Sequence, residues 1–94
     1  MKMGYHSELN IPVQMFCLME MDGKITPLFF KFKDDGGHIQ KVDIVNILQR
    51  NERNYYGVRE LRYVCRGKLE ERKNTVDLLY EVDTQRWRIY QMIS

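Results

Sequence analysis

Residues 57–67 read Gly-Val-Arg-Glu-Leu-Arg-Tyr-Val-Cys-Arg-Gly, and this stretch decides the fold class. Leu61, Tyr63 and Cys65 occupy alternate positions, and the other parity carries Arg62, Val64 and Arg66. Successive side chains on a strand point to opposite faces, so this alternation is typical of a strand with one face in the core and the other in solvent. The stretch therefore predicts a half-buried β-strand between two glycine turns.

The same combination of alternation and turn signals recurs along the whole chain. Asp and Gly tolerate positive φ and therefore reverse a chain at low cost. The turn signals are Asp22-Gly23, Asp34-Asp35-Gly36-Gly37, Tyr56-Gly57, Arg66-Gly67 and Asp83-Thr84. Short strands joined by short turns indicate an antiparallel meander, and closure of the sheet removes edges that invite aggregation. We predict one all-β domain over residues 1–94, with about six antiparallel strands in a small barrel or rolled sheet.

The first apolar run, residues 12–21, alternates in the same way. Its odd-numbered side chains are all apolar, which predicts that this face lies in the core. They are Val13, Met15, Cys17, Met19 and Met21. Methionine also forms adaptable binding surfaces, an alternative that we rank below core packing.

Pro27 interrupts the second apolar run, residues 25–33. Because proline has no amide hydrogen to donate to a ladder, it predicts a strand start, a bulge or an edge at this position. Beyond it, Leu28, Phe30 and Phe32 are expected to point to one face.

Three segments carry weaker patterns. Residues 38–48 are rich in β-branched side chains and predict a bent strand, with a short helical turn over residues 43–48 as the alternative. Residues 49–56 are polar and predict a loop, and residues 69–74 predict an exposed, charged connection. Residues 1–10 are mixed and polar, so we expect a loosely ordered N-terminal arm.

The two cysteines, Cys17 and Cys65, both lie in strand-like runs and are predicted to be free, buried thiols. A disulfide between them is disfavoured in a reducing compartment. The histidines, His6 and His38, have no second ligand at metal spacing, so no metal or cofactor is predicted. The sequence has no apolar run long enough for a bilayer and no secretory leader pattern, which predicts a soluble, cytoplasmic protein without a membrane partner.

A series of these elements resembles a group of short uncharacterised bacterial β-domains over residues 21–89. The shared elements are Gly23-Lys24-Ile25-Thr26-Pro27-Leu28, the aromatic residues Phe30 and Phe32, the valine-rich run 42–47, Tyr63-Val64-Cys65, Leu79-Tyr80-Glu81 and Trp87. The resemblance implies a compact, mainly β fold in a bacterial cytoplasm and brings no established activity. This chain departs from the group at residues 68–74 and in its methionine-rich first strand.

The sequence contains no assembled catalytic pattern. A nucleophile needs a base that is itself oriented by a third group, but His6 lies in the predicted arm, His38 lies beside a glycine pair, and Cys65 alternates inward. Gly36-Gly37 precedes a predicted strand, whereas a phosphate-binding glycine loop precedes a helix. We therefore predict that the protein is not an enzyme.

The charges are unevenly distributed, because residues 1–47 carry five basic and six acidic side chains and residues 48–94 carry ten and seven. Arginines and tyrosines of the second half are the candidate site residues: Arg50, Arg53, Tyr55, Tyr56, Arg62 and Arg88. Small barrels bind single-stranded nucleic acid by stacking bases on aromatic rings beside arginines. The favoured alternative is cross-strand pairing of the arginines with Glu52, Glu60, Glu70, Glu71 and Glu81.

The pattern as a whole predicts a non-enzymatic binding or interaction module. Self-association is the leading interpretation, because a small core gains stability when an apolar first strand is buried against a second copy. Weak, sequence-independent binding of single-stranded nucleic acid through the arginine and tyrosine surface is the alternative.

Overall fold

A computed structural model describes residues 9–93 and confirms the predicted all-β barrel. Consecutive strands pair antiparallel, and the first strand closes on the last. The strands are β1 (Ile11–Met19), β2 (Ile25–Lys33), β3 (Ile39–Tyr55), β4 (Val58–Leu69), β5 (Arg72–Glu81) and β6 (Arg86–Ile93). Most of the predicted N-terminal arm, residues 1–8, lies outside the described residues.

The barrel interior is filled by the side chains that the alternation predicted. Leu61, Tyr63 and Cys65 of β4 are buried there, together with Phe30, Val42, Val76, Leu78, Tyr80, Trp87 and Ile89. The Tyr63 hydroxyl donates a hydrogen bond to the Ile25 carbonyl (2.6 Å) and accepts one from Arg50 Nε (3.1 Å). Its polar end is therefore satisfied inside an otherwise apolar core.

Strand β3 is longer than predicted. Residues 43–48 are strand with no helical turn, and residues 49–55 continue the strand where a loop was predicted. Two bulges, between Ile44 and Asn46 and between Ile47 and Gln49, each insert a residue and shift the alternation. Because the far end of the strand is polar on both faces, the period-two signal is lost there, although pairing with β4 still holds it extended.

The predicted connection over residues 69–74 is also mostly strand. β4 continues to Leu69, which pairs with Arg72 at the start of β5. The turn itself consists of Glu70 and Glu71, with Glu70 at a positive φ of 56°.

The prediction for the core face of β1 is correct only in its first half. Ile11, Val13 and Met15 pack against the core, whereas Cys17, Met19 and, just beyond the strand, Met21 are exposed. Cys17 is therefore not the buried thiol that was predicted. The cause is that β6 begins only at Arg86, so it pairs with the first half of β1 and does not cover the inward side chains of the second half.

Pro27 lies at a bulge, one of the three predicted positions. Phe16 pairs with Phe29 and Cys17 pairs with Pro27, so Leu28 is the extra residue on β2. Leu28 is exposed, and the prediction that it shares the inward face of Phe30 is wrong. The bulge lies on β2, so β1 keeps its regular alternation through this region.

Candidate functional site

The second half of β1 forms an open strand edge. β1 pairs with β6 at residues 11–13, which lie opposite Ile89, Arg88 and Trp87. Residues 14–19 pair with β2 on one side, and no strand within residues 9–93 pairs with them on the other. Their outward-directed amide and carbonyl groups are therefore available to a further strand.

The chemistry of this edge is unusual for an unprotected strand. Residues 14–19 read Gln-Met-Phe-Cys-Leu-Met, with no charge and no proline. Natural sheet edges are commonly protected by charges, prolines or bulges. The free side of β3 beyond Asp43 has that protection, since it carries the two bulges and the charged residues Arg50 and Glu52. The β1 edge therefore has the features of a pairing surface.

The inward side chains of the same segment line a cavity of about 310 Å³ at the open end of the barrel. The lining residues are Met15, Cys17, Met19, Ile25, Tyr80, Gln85 and Trp87. The rings of Tyr80 and Trp87 lie 4.8 Å apart and form its wall. Burial raises the pKa of Tyr80, and Cys17 and Tyr63 raise it further, so this hydroxyl stays neutral.

A second candidate site is centred on Glu60, whose side chain is 4% exposed. Arg53 Nε donates to Oε1 and Arg88 Nη2 donates to Oε2, both at 2.8 Å. Burial raises the pKa of Glu60, but the hydrogen bonds and positive charges of Arg88 and Arg53 together leave the pKa below its ordinary value. Arg88 Nε also donates to Asn10 Oδ1 at 2.9 Å. One carboxylate therefore joins arginines of β3 and β6.

These arginines border a cavity of about 250 Å³ lined by Asn10, Arg53, Tyr55, Arg88 and Tyr90. The Arg53 guanidinium lies 5.0 Å from the centre of the Tyr55 ring and 5.9 Å from that of Tyr90. The site therefore combines two cations with two aromatic rings, and it includes three of the six predicted residues.

The other three predicted residues have different environments. Arg62 is held by Asp77 and Arg50 by the hydroxyl and ring of Tyr63, so neither lines this cavity. Tyr56 lies in the β3–β4 turn, highly exposed, with its ring 4.6 Å from that of Tyr55. Asn10 was not predicted, since it precedes β1 and reaches Arg88 only through closure of the barrel.

Comparison with family models, with curated proteins and with solved structures gives no match to this chain. The resemblance to the bacterial β-domains therefore stays a prediction. Within the described part of the chain, no three His, Cys, Asp or Glu side chains are grouped to hold a metal. The same residues contain no helix long and apolar enough to cross a membrane.

Proposed function

We propose that this protein is a non-enzymatic interaction module that self-associates through the open edge of β1. The proposal rests on the uncharged edge at residues 14–19. This segment pairs with β2 on one side and with no other strand of residues 9–93 on the other. A second copy offers the same edge, and two such edges satisfy each other's backbone groups.

The pairing follows from two-fold symmetry. A two-fold axis perpendicular to the sheet brings the two β1 edges together antiparallel, and the interface is then the same patch on both copies. Side chains opposite one another lie on the same face, so the outward Phe16 and Leu18 meet apolar residues of the other copy. Because residues 14–19 carry no charge, no like charges face each other across the axis.

The experiment is sedimentation equilibrium of the wild-type chain and of Leu18→Lys. Leu18 is 49% exposed on the outward face, so a lysine there is tolerated in the monomer but blocks the edge. The matched control is Leu48→Lys on β3, where the leucine is 57% exposed. We expect a dimer for the wild type and for Leu48→Lys, and a monomer with unchanged circular dichroism for Leu18→Lys. A strictly monomeric wild type at high concentration contradicts the proposal.

A second candidate function is weak binding of single-stranded nucleic acid, supported by the cavity that Arg53, Tyr55, Arg88 and Tyr90 share. Glu60 neutralises one of the two arginine charges, which leaves one net positive charge for a phosphate. Tyr55 is 55% exposed, and its ring, beside the Arg53 guanidinium, is the candidate for base stacking. The Glu60 pairing weakens this candidate relative to self-association.

The test is fluorescence anisotropy of labelled oligonucleotides over a range of salt concentrations. We expect an affinity that falls steeply with salt and that Tyr55→Leu lowers, while Tyr56→Leu serves as the control outside the cavity. Absence of binding at low salt rejects this candidate and leaves the β1 proposal untouched.

A further inference from the structure

Three sulfur-containing side chains converge on one cavity. Met15, Cys17 and Met19 occupy successive inward positions of β1, and all three line the cavity at the open end of the barrel. Alternate residues on a strand lie ~6.6 Å apart, a span that the long, flexible methionine side chains on either side of Cys17 can close. Because the neighbouring bulge adds its residue to β2, the three side chains keep a common face.

The cavity is open enough to admit an ion. Met19 is 65% exposed and Cys17 is also exposed, while Met15 packs against the core. Tyr80 and Trp87, which form its aromatic wall, are both buried. A ligand entering from solvent thus meets both sulfur atoms and aromatic rings.

We propose that Met15, Cys17 and Met19 form a binding site for a soft monovalent cation of the Cu(I) or Ag(I) type. Thiolate and thioether groups are the ligands that select Cu(I), whereas magnesium and calcium require oxygen ligands. The lining contains no carboxylate and no histidine, and its oxygen atoms belong to the Tyr80 hydroxyl, the Gln85 amide and the backbone. The donor set therefore disfavours hard cations.

Charge balance favours a monovalent ion over zinc. On binding, the Cys17 thiol releases its proton to solvent, and the sulfur–metal bond forms from the thiolate. One thiolate, two neutral thioethers and one monovalent cation have a net charge of zero. A divalent ion with the same ligands leaves one uncompensated positive charge against Ile25 and Trp87, which is unfavourable in an apolar wall.

The aromatic wall adds to this selectivity. The face of an indole ring attracts a cation within about 6 Å, and sulfur atoms make favourable contacts with aromatic rings. Trp87 is the single tryptophan of the chain, so its fluorescence reports directly on occupancy of this cavity.

Other sulfur atoms of the chain are poorer candidates. Cys65 is fully buried, and burial, aided by Asp77, raises its pKa to about 12, so its thiol keeps its proton at neutral pH. Met21 is fully exposed in the β1–β2 turn and does not line the cavity. These two residues provide internal controls.

The experiment is an anaerobic titration of the reduced full-length chain with Ag(I), and with Cu(I) in the presence of a competing Cu(I) chelator. We expect quenching of Trp87 fluorescence that saturates at one equivalent per chain. Cys17→Ser should lower the affinity by at least about 100-fold, because even changes beyond the ligands themselves cost 10–100-fold. Met15→Leu and Met19→Leu, which conserve side-chain volume, should each lower it by about tenfold or more.

Matched controls separate this site from other ligands. Met21→Leu, Cys65→Ala and the double variant Met3→Leu, His6→Gln should keep the wild-type affinity. Circular dichroism checks that each variant folds. Wild-type affinity in the triple variant Met15→Leu, Cys17→Ser, Met19→Leu overturns the proposal, and so does Zn(II) binding that displaces Ag(I) at equal concentration.

The metal site is independent of self-association, because it uses inward side chains whereas pairing uses the backbone edge and the outward face. The same titration on Leu18→Lys distinguishes the two proposals. We expect unchanged affinity in Leu18→Lys, and a loss of metal binding there would overturn an intrachain site.

Discussion

Arg62 and Asp77 form a bidentate ion pair across β4 and β5. Arg62 Nε lies 2.9 and 3.0 Å from the two carboxylate oxygens, and Nη2 lies 2.7 Å from Oδ2. Asp77 is on the outward face of the barrel and yet only 4% exposed. Leu79, two residues further along β5, is fully buried on that face between its sheet partners Arg62 and Arg88. The arginine side chains therefore cover this face as well as neutralise its acids.

Replacement of Arg62 by alanine should destabilise the protein by ~2 kcal/mol, because it leaves the Asp77 carboxylate buried without a partner. We discount the larger cost of a fully buried pair, since the Arg62 side chain is 37% exposed. Urea unfolding measures the change. The control is Arg59→Ala, whose exposed pair with Glu52 should contribute less than ~1 kcal/mol. Equal losses in the two variants would contradict a special role for the Arg62–Asp77 pair.

Glu60 should make the protein sensitive to acid. Burial raises its pKa, but the hydrogen bonds and positive charges of Arg88 and Arg53 together leave the pKa below the ordinary value of 4.5 in the folded chain. The carboxylate therefore contributes stability above pH 4.5, and this contribution is lost as the pH falls through the lowered pKa. Urea unfolding between about pH 7 and pH 3 should show a flatter profile for Glu60→Gln than for the wild type. Parallel profiles would show that Glu60 does not contribute.

The fold was predictable from the sequence where the two faces of a strand differ chemically. Leu61, Tyr63 and Cys65 were assigned correctly, because arginines mark the opposite face of β4. The far end of β3 was not, because Asn51 and Arg53 belong to a strand that is polar on both faces. Alternation shows which residues share a face but not whether another element covers that face. This is why Cys17 was predicted to be buried although it is exposed.

The candidate sites show the same limit. Arg53 and Arg88 were singled out by their residue type, and Glu60 was named among their acidic partners. The open edge of β1 has no local signal, because it depends on where β6 begins relative to β1. The burial of Asp77 on an outward face was likewise invisible, since it results from the packing of arginines on neighbouring strands.

Gly67 should be intolerant of a side chain. A Cβ at this position would lie 2.7 Å from Val42 Cγ1 and 3.2 Å from Val76 Cγ2, both in the buried core. Because valine has few accessible χ1 rotamers, neither side chain can move away easily. Gly67→Ala should therefore lower the free energy of unfolding by ~1–3 kcal/mol through overpacking. A double-mutant cycle with Val42→Ala, followed by urea unfolding, tests the cause. The two losses should be less than additive, because the second substitution removes the methyl group that the first one strikes. Additive losses of stability would show that the strain does not arise from contact with Val42.

The two cysteines should differ sharply in reactivity. Cys17 is exposed beside the open edge of β1, whereas Cys65 is fully buried and its pKa is raised to about 12 by burial and by Asp77. Because the thiolate is the reactive form, an aromatic disulfide reagent at pH 8 should modify one thiol of the native chain quickly and the second only after unfolding. Cys17→Ser should abolish the fast phase, and Cys65→Ala should leave it unchanged. Two fast thiols in the native wild type would show that β4 opens readily at Cys65, which is inconsistent with a packed barrel interior.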